Sequence, residues 1–329
     1  MKEEVASKVF LASVDTGFGD VKVCFPDGRF FKFPTAIAYA KAGLPDVGEK
    51  PEEYEYLGKN YLVGESALGG AFPTRSFEFL LRYAPLLCHK GIKDDSGIIH
   101  LGVGLPLAFY TKENRDKLAM SLGDFRINGE QKKFKVDVFP QGVSLLIDYR
   151  YGEDGTEVPD TDVDGLCIDV GWKTIDAAPF ERGIAVRDGA GMIDGGGTSK
   201  MCDELAAYIE SDMKIQLNEQ ETKDVFLKGE LRIYGKTRDL SEVIRQIVEK
   251  YVDELIHTLS SRWEKRIQRA QKLILGGGGA YYLRNNLPKR YKDLIYIPDN
   301  PEFANARAYL KAILVKLKAG GEEYRESIE

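Results

Sequence analysis

The chain has 329 residues, enough for two domains and a substantial buried core. Hydrophobic residues make up 43%, charged residues 30% and aromatic residues 11%, which excludes a disordered, collagenous or coiled-coil chain. Lys and Arg number 46 against 52 Asp and Glu, and the net charge of −6 gives no electrostatic basis for tight, unassisted nucleic-acid binding.

Cys24, Cys88, Cys167 and Cys202 stand singly, and the histidines are His89, His100 and His257, so no zinc or iron–sulfur spacing exists. The first ten residues lack the layout of a signal peptide, and no run approaches the ~18 apolar residues of a membrane span. Reduced cysteines and a cytoplasmic location are expected.

In chain order, residues 8–14 read as a buried strand, followed by a hairpin of 21–25 and 29–33 around Pro26-Asp27-Gly28. A loop at 41–53 leads to a short hairpin, 54–57 and 61–63, around Gly58-Lys59-Asn60. The region 34–97 is predicted to be a small inserted lobe. Residues 98–105 form a buried strand stopped by Pro106, 112–121 a helix, and 134–139 an alternating strand that reaches Pro140. The stretch 151–164 carries Gly, Pro and six carboxylates and marks the crossing between halves.

The second half starts as the first did, with strands at 165–170 and 175–180 separated by a turn. Asp239 and Glu242 have capping-box spacing, and Val243, Ile244, Ile247, Tyr251, Leu255, Leu259 and Trp263 then recur at helical spacing to Ile267. A short strand at 272–275 runs into four glycines, and a last helix begins near Pro301. This is a mixed α/β chain with an internal echo.

Three turns carry the chemistry. In Asp15-Thr16-Gly17-Phe18-Gly19-Asp20-Val21-Lys22, a buried strand ends in a carboxylate, two glycines bend the chain and a lysine follows. This is either a phosphate cradle or a tight hairpin in which Asp15 bonds its own turn. Asp169-Val170-Gly171-Trp172-Lys173-Thr174 repeats the Asp-x-Gly spacing in the second half. One such hairpin per half would set two carboxylates and two rows of backbone N–H groups on opposite walls of a cleft, which suits a magnesium triphosphate. Trp172 also reads as a buried ring and Lys173 as a solvated turn residue. The run Gly276-Gly277-Gly278-Gly279 follows a buried strand and permits close approach of a flat ring or phosphates, or is simply a turn.

In this order the three turns resemble the first phosphate, second phosphate and adenosine motifs of the actin, sugar-kinase and heat-shock chaperone ATPase superfamily. Five further segments lie with them: Phe33-Pro34-Thr35-Ala36-Ile37, Tyr61-Leu62-Val63-Gly64-Glu65-Ser66-Ala67, Gly102-Val103-Gly104-Leu105-Pro106-Leu107, Val138-Phe139-Pro140-Gln141-Gly142-Val143 and Asn300-Pro301-Glu302-Phe303-Ala304-Asn305-Ala306-Arg307. Together they resemble the ParM/StbA group of actin-like proteins over nearly the whole chain.

The resemblance implies an α/β, actin-like fold of two ribonuclease-H-like halves flanking a nucleotide cleft. Residues 1–160 would form domain I with its lobe at about 34–97, 161–300 domain II, and 301–329 a helix returning to domain I. It implies ATP or GTP with Mg2+, the metal held through water by Asp15 and Asp169. Thr16, Gly17, Phe18 and Gly19 would cradle phosphate, with Lys22 near the β-phosphate and Gly171, Trp172, Lys173 and Thr174 as the second loop. Gln141 would orient the attacking water, completing a catalytic set with Asp15 and Asp169. Gly276, Gly277 and Gly278 would line the adenosine pocket, Gly195, Gly196, Gly197 and Thr198 its ribose side, and the helix around Lys223 would close over the adenine. Ala308, Trp172 and Lys173 depart from the residues common in relatives. The implied function is an ATPase that polymerises into nucleotide-dependent filaments for plasmid segregation through a DNA-bound adaptor, with no direct nucleic-acid or membrane contact. The alternatives are a small-molecule kinase or a non-polymerising ATPase of the same superfamily.

Overall fold

Residues 9–40, 50–72, 76–93, 99–321 and 324–325 are described by a computed structural model. Lys8, Ile98 and most of the 41–53 loop lie outside them. The chain forms two compact units, Met1–Thr161 together with Glu302–Glu329, and Asp162–Pro301.

In the first unit the strand Val9–Thr16 is buried from Phe10 onward, because both of its faces are covered. Alternation along the strand divides its side chains. Phe10, Ala12 and Val14 enter a core with Val21, Val23, Leu86 and Leu101, while Leu11 packs with Tyr309, Ile313 and Leu314 of the last helix, Ala304–Gly320. Asp15 therefore belongs to the face that this helix covers. The sheet order is Phe134–Pro140, Ile99–Leu105, Val9–Thr16, Asp20–Cys24, Phe30–Pro34. The first three strands are parallel and the last two antiparallel, and Tyr324–Arg325 adds in parallel to the start of Val9–Thr16.

The inserted region holds a three-stranded sheet, with Lys59–Val63 between Ile37–Tyr39 and Tyr54–Tyr56. Its Ile37, Tyr54, Tyr61 and Val63 join the same core as the main sheet. The sequence reading lacked the helix Phe77–Ile92, which Ser76 caps by accepting from the Phe79 N–H at 3.2 Å.

The second unit repeats the plan. Its sheet order is Ile184–Ala185, Thr174–Glu181, Gly165–Val170, Lys272–Gly276, Ile295–Tyr296, with Gly191–Asp194 also on Thr174–Glu181. In both units an antiparallel hairpin is extended by a parallel strand on its first member. The helix Ser241–Arg269 bends at Trp263 (φ −124°, ψ 20°), whose indole N–H donates to the Gly189 carbonyl at 2.6 Å. The capping box expected of Asp239 and Glu242 is not formed. Asp239 accepts from the Ser241 N–H at 2.9 Å, and Glu242 turns outward to Arg245 and Gln246. The reciprocal box belongs instead to Asn218 and Glu221, at the start of the helix Glu219–Lys228. Among the described residues no helix is long and apolar enough to cross a membrane.

Candidate functional site

The first turn closes the hairpin of Val9–Thr16 and Asp20–Cys24, in which Asp15 pairs with Lys22 and Thr16 with Val21. Residues paired across an antiparallel ladder share a face, so the ammonium comes to 3.7 Å from Asp15 Oδ2. Asp15 Oδ1 accepts from Gln141 Nε2 at 2.7 Å and from the Tyr309 hydroxyl at 3.5 Å. All three side chains are buried. A carboxylate with one oxygen held by neutral donors and the other facing a lysine is a hard, anionic ligand with a partly balanced charge. Thr35 locks the turn, its hydroxyl donating to the Gly17 carbonyl at 2.6 Å and its N–H to the Gly19 carbonyl at 3.0 Å. A Cβ on Gly17 would meet Lys22 Nζ at 2.7 Å, so glycine lets the lysine lie along the turn. Phe18 packs against the first core.

Tyr309 was not singled out by the sequence, although its imprint was there. In the strand Ile99–Leu105 a Cβ at Gly104 would overlap the Tyr309 ring, and one at Gly102 would lie 2.9 Å from its Cβ. Two glycines at alternate positions of a buried strand thus record a ring laid on the strand. Phe139 stacks on the Tyr309 ring, centroids 5.5 Å apart. Gln141 stands in the turn before the helix Ser144–Arg150, its N–H donating to the Leu105 carbonyl at 2.8 Å.

The second turn joins Gly165–Val170 to Thr174–Glu181. Asp169 and Asp176 are cross-strand partners, both buried, and Thr174 donates to Asp176 Oδ2 at 3.3 Å. The segment 195–199 is laid against this turn. Gly197, Thr198 and Ser199 donate their N–H groups to the carbonyls of Lys173, Gly171 and Trp172, at 3.0, 3.0 and 2.8 Å. A Cβ on Gly197 would strike the Trp172 carbonyl, and one on Gly196 would meet Ile175 Cδ1 at 2.9 Å. Packing on the second turn thus accounts for Gly196 and Gly197, while Gly195 lies at positive φ with open space around it.

Trp172 is half-buried, donating its indole N–H to Glu219 at 2.9 Å, and the Lys223 ammonium lies 5.4 Å from its ring centre. Lys223 therefore packs on the tryptophan of the second turn. Burial and the neighbouring Glu219 raise the Asp203 carboxyl above its ordinary range, against the opposing pull of Lys173.

The glycine run continues Lys272–Gly276, whose Gly276 is in parallel register with Asp169. Gly277 (φ +76°) leaves no room for a Cβ, which would overlap Asp169 Oδ1, and one on Gly279 would overlap Val170. These glycines are required by the approach of the run to the Asp169 strand end. Around Gly278 a Cβ would meet nothing within 4 Å, so it borders open space.

Two family models match in sequential order. "Actin like proteins N terminal domain" covers residues 13–143 and "Archaeal actin homologue MreB-like, C-terminal" residues 167–289. Among solved structures the chain is similar to a 15-stranded ParM filament from Clostridium botulinum, with a TM-score of 0.75, 19% identity, and 93% of this chain and 99% of that one covered. The chain is an actin-like protein by fold. An archaeal actin homologue in complex with ADP matches this actin-like chain with a TM-score of 0.74, 20% identity, and coverage of 93% and 99%. The actin-like protein Alp7A matches at 0.72 and 17%, with coverage of 94% and 98%. No curated protein sequence matches. At these identities the likeness of the structures establishes the fold.

Proposed function

We propose that the chain binds a magnesium nucleoside triphosphate, ATP or GTP, hydrolyses it, and assembles head to tail into filaments governed by that cycle. The observation that carries this reading is the duplicated hairpin turn, one per unit, each following a strand that delivers a buried carboxylate, Asp15 or Asp169. The similar ParM filament and the similar archaeal actin homologue with ADP support it. Plasmid segregation through a DNA-bound adaptor is the biological role proposed.

The donor set fits the ion. Magnesium prefers hard oxygen ligands and keeps several waters, and each turn offers one carboxylate. When bound, the ion would neutralise charge on the phosphates. Asp15 and Asp169 would hold its waters, Lys22 would face phosphate oxygens, and residues 16–19 and 171–174 would present backbone N–H groups. Gly278, with open space at its Cα, would face the adenosine. Gln141 spends its amide N–H on Asp15 and keeps its Oε1, which has no protein donor among the described residues, to accept from the attacking water.

Titration calorimetry with ATP and magnesium tests the binding step. Asp15→Ala is expected to weaken affinity by roughly a hundredfold or more, the scale of a lost charge-assisted contact. Wild-type affinity in a folded Asp15→Ala protein would remove the first turn from the site.

A further inference from the structure

One element of the second unit is left unexplained by core or nucleotide site. Glu230–Ile233 and Lys236–Asp239 form a two-stranded hairpin that, among the described residues, is joined to no other sheet. Its base is fixed by Leu231, packed on the second core, and by the Leu240 N–H donating to the Gly229 carbonyl at 2.8 Å. Its tip is Tyr234-Gly235, both at positive φ (+47° and +77°). A two-residue turn of this kind favours Asn, Asp or Gly in both positions, because a Cβ is strained there. This chain places a tyrosine at the strained position with its ring fully exposed. Arg232, Lys236 and Arg238 are exposed beside it, and among the described residues none has an ion-pair partner. An isolated hairpin is marginal in water, and exposed tyrosine and arginine are the residues on which interfaces most often turn.

The chain also carries the complementary surface. In the first unit Glu153, Asp154, Glu157 and Asp160 are exposed with Val158 and Pro159 between them, and residues 153–160 include no Lys or Arg. Arg150 and Lys318 engage Glu157 and Asp154. Glu153 and Asp160 have no cation partner among the described residues.

We infer that the 230–239 hairpin docks on segment 153–160 of a second copy of this chain, Tyr234 against Val158 and Pro159 and the hairpin cations against the carboxylates. The two patches are different surfaces on different units, so the contact is heterologous and repeats from copy to copy. It rests on the filament reading and names its contact.

Sedimentation with ATP and magnesium tests it. Tyr234→Asn keeps a residue the turn favours and deletes the ring, and it should raise the critical concentration by roughly tenfold or more. Arg232→Glu/Arg238→Glu makes the hairpin acidic, and Glu153→Arg/Asp160→Arg turns the two carboxylates of the segment that lack a cation into cations, while Asp154 and Glu157 stay paired with Lys318 and Arg150. Each double variant alone should stay in the supernatant with wild-type nucleotide affinity. An equimolar mixture of the two should pellet again, because every mixed contact is complementary. Variants that polymerise at the wild-type concentration, or a mixture that fails to pellet, would overturn the contact and leave the filament reading standing. A wild-type chain that stays monomeric with every nucleotide would overturn both.

Discussion

Asp15 is held on one oxygen by neutral donors and faces Lys22 with the other, and this asymmetry decides what Gln141 can do. Donation from Nε2 to Asp15 leaves Oε1 as the acceptor that the amide still has to offer. In the proposed reaction, Gln141→Ala removes the water's acceptor and one donor to Asp15 together. The turnover number is expected to fall by roughly ten- to a thousandfold, about 1.4 to 4 kcal/mol, with a smaller change in nucleotide affinity. Filaments of this variant should outlast those of the wild type. Phosphate release and light scattering on one preparation check both, and wild-type values in each would sink the assignment. The carboxylates and glycines of the turns were legible in the sequence, because strand ends and tight turns have local signatures. Tyr309 was not, since it stands 294 residues from Asp15.

At the scale of elements, the helix Ser144–Arg150 is bound to Ala304–Gly320 by one carboxylate shared between two cations. Arg307 reaches Asp148 through Nε at 2.9 Å and a terminal nitrogen at 2.6 Å, and Lys311 Nζ lies 2.7 Å from Asp148 Oδ1. Asp148 and Lys311 are only 5% and 6% exposed. Asn305 adds a bond from the Gly142 N–H at 3.2 Å. Asn305 and Arg307 stood out in the sequence only through resemblance, and the structure gives them work, Arg307 tying the last helix to Ser144–Arg150 and Asn305 tying it to the turn before that helix. Replacing Asp148 by Ala takes the carboxylate away from the buried Lys311 ammonium and from Arg307 beside it, which should cost about 3–5 kcal/mol, read as a fall in the urea midpoint. Asp148→Glu, which keeps the charge, should lose less. Equal stability of Asp148→Ala and the wild type would show that the cluster is not a tie. The failed capping box at Asp239 has a similar lesson. The spacing is that of a capping box, but Asp239 ends the strand Lys236–Asp239 and its carboxylate accepts from the Ser241 N–H instead.

For the whole molecule, the two units have separate cores, and each core closes with residues of its own unit. Both tryptophans, Trp172 and Trp263, lie in the second unit. Tryptophan fluorescence in urea should therefore follow the second unit alone, while far-ultraviolet circular dichroism follows both, and the two curves should not superimpose. Coincident curves would show one cooperative transition instead. The sequence by itself determined the α/β class, the duplicated hairpins with Asp15 and Asp169, and the buried strands, because these depend on alternation, turn residues and short spacings that any neighbouring stretch of chain expresses. Tertiary structure alone decided that Gln141 and Tyr309 meet on Asp15 and that Gly277 is needed by Asp169. It alone left Tyr234 uncovered. Each of these is a matter of which distant surfaces come into contact or fail to, and contact between residues far apart in the chain leaves only indirect marks, such as the two glycines beneath Tyr309.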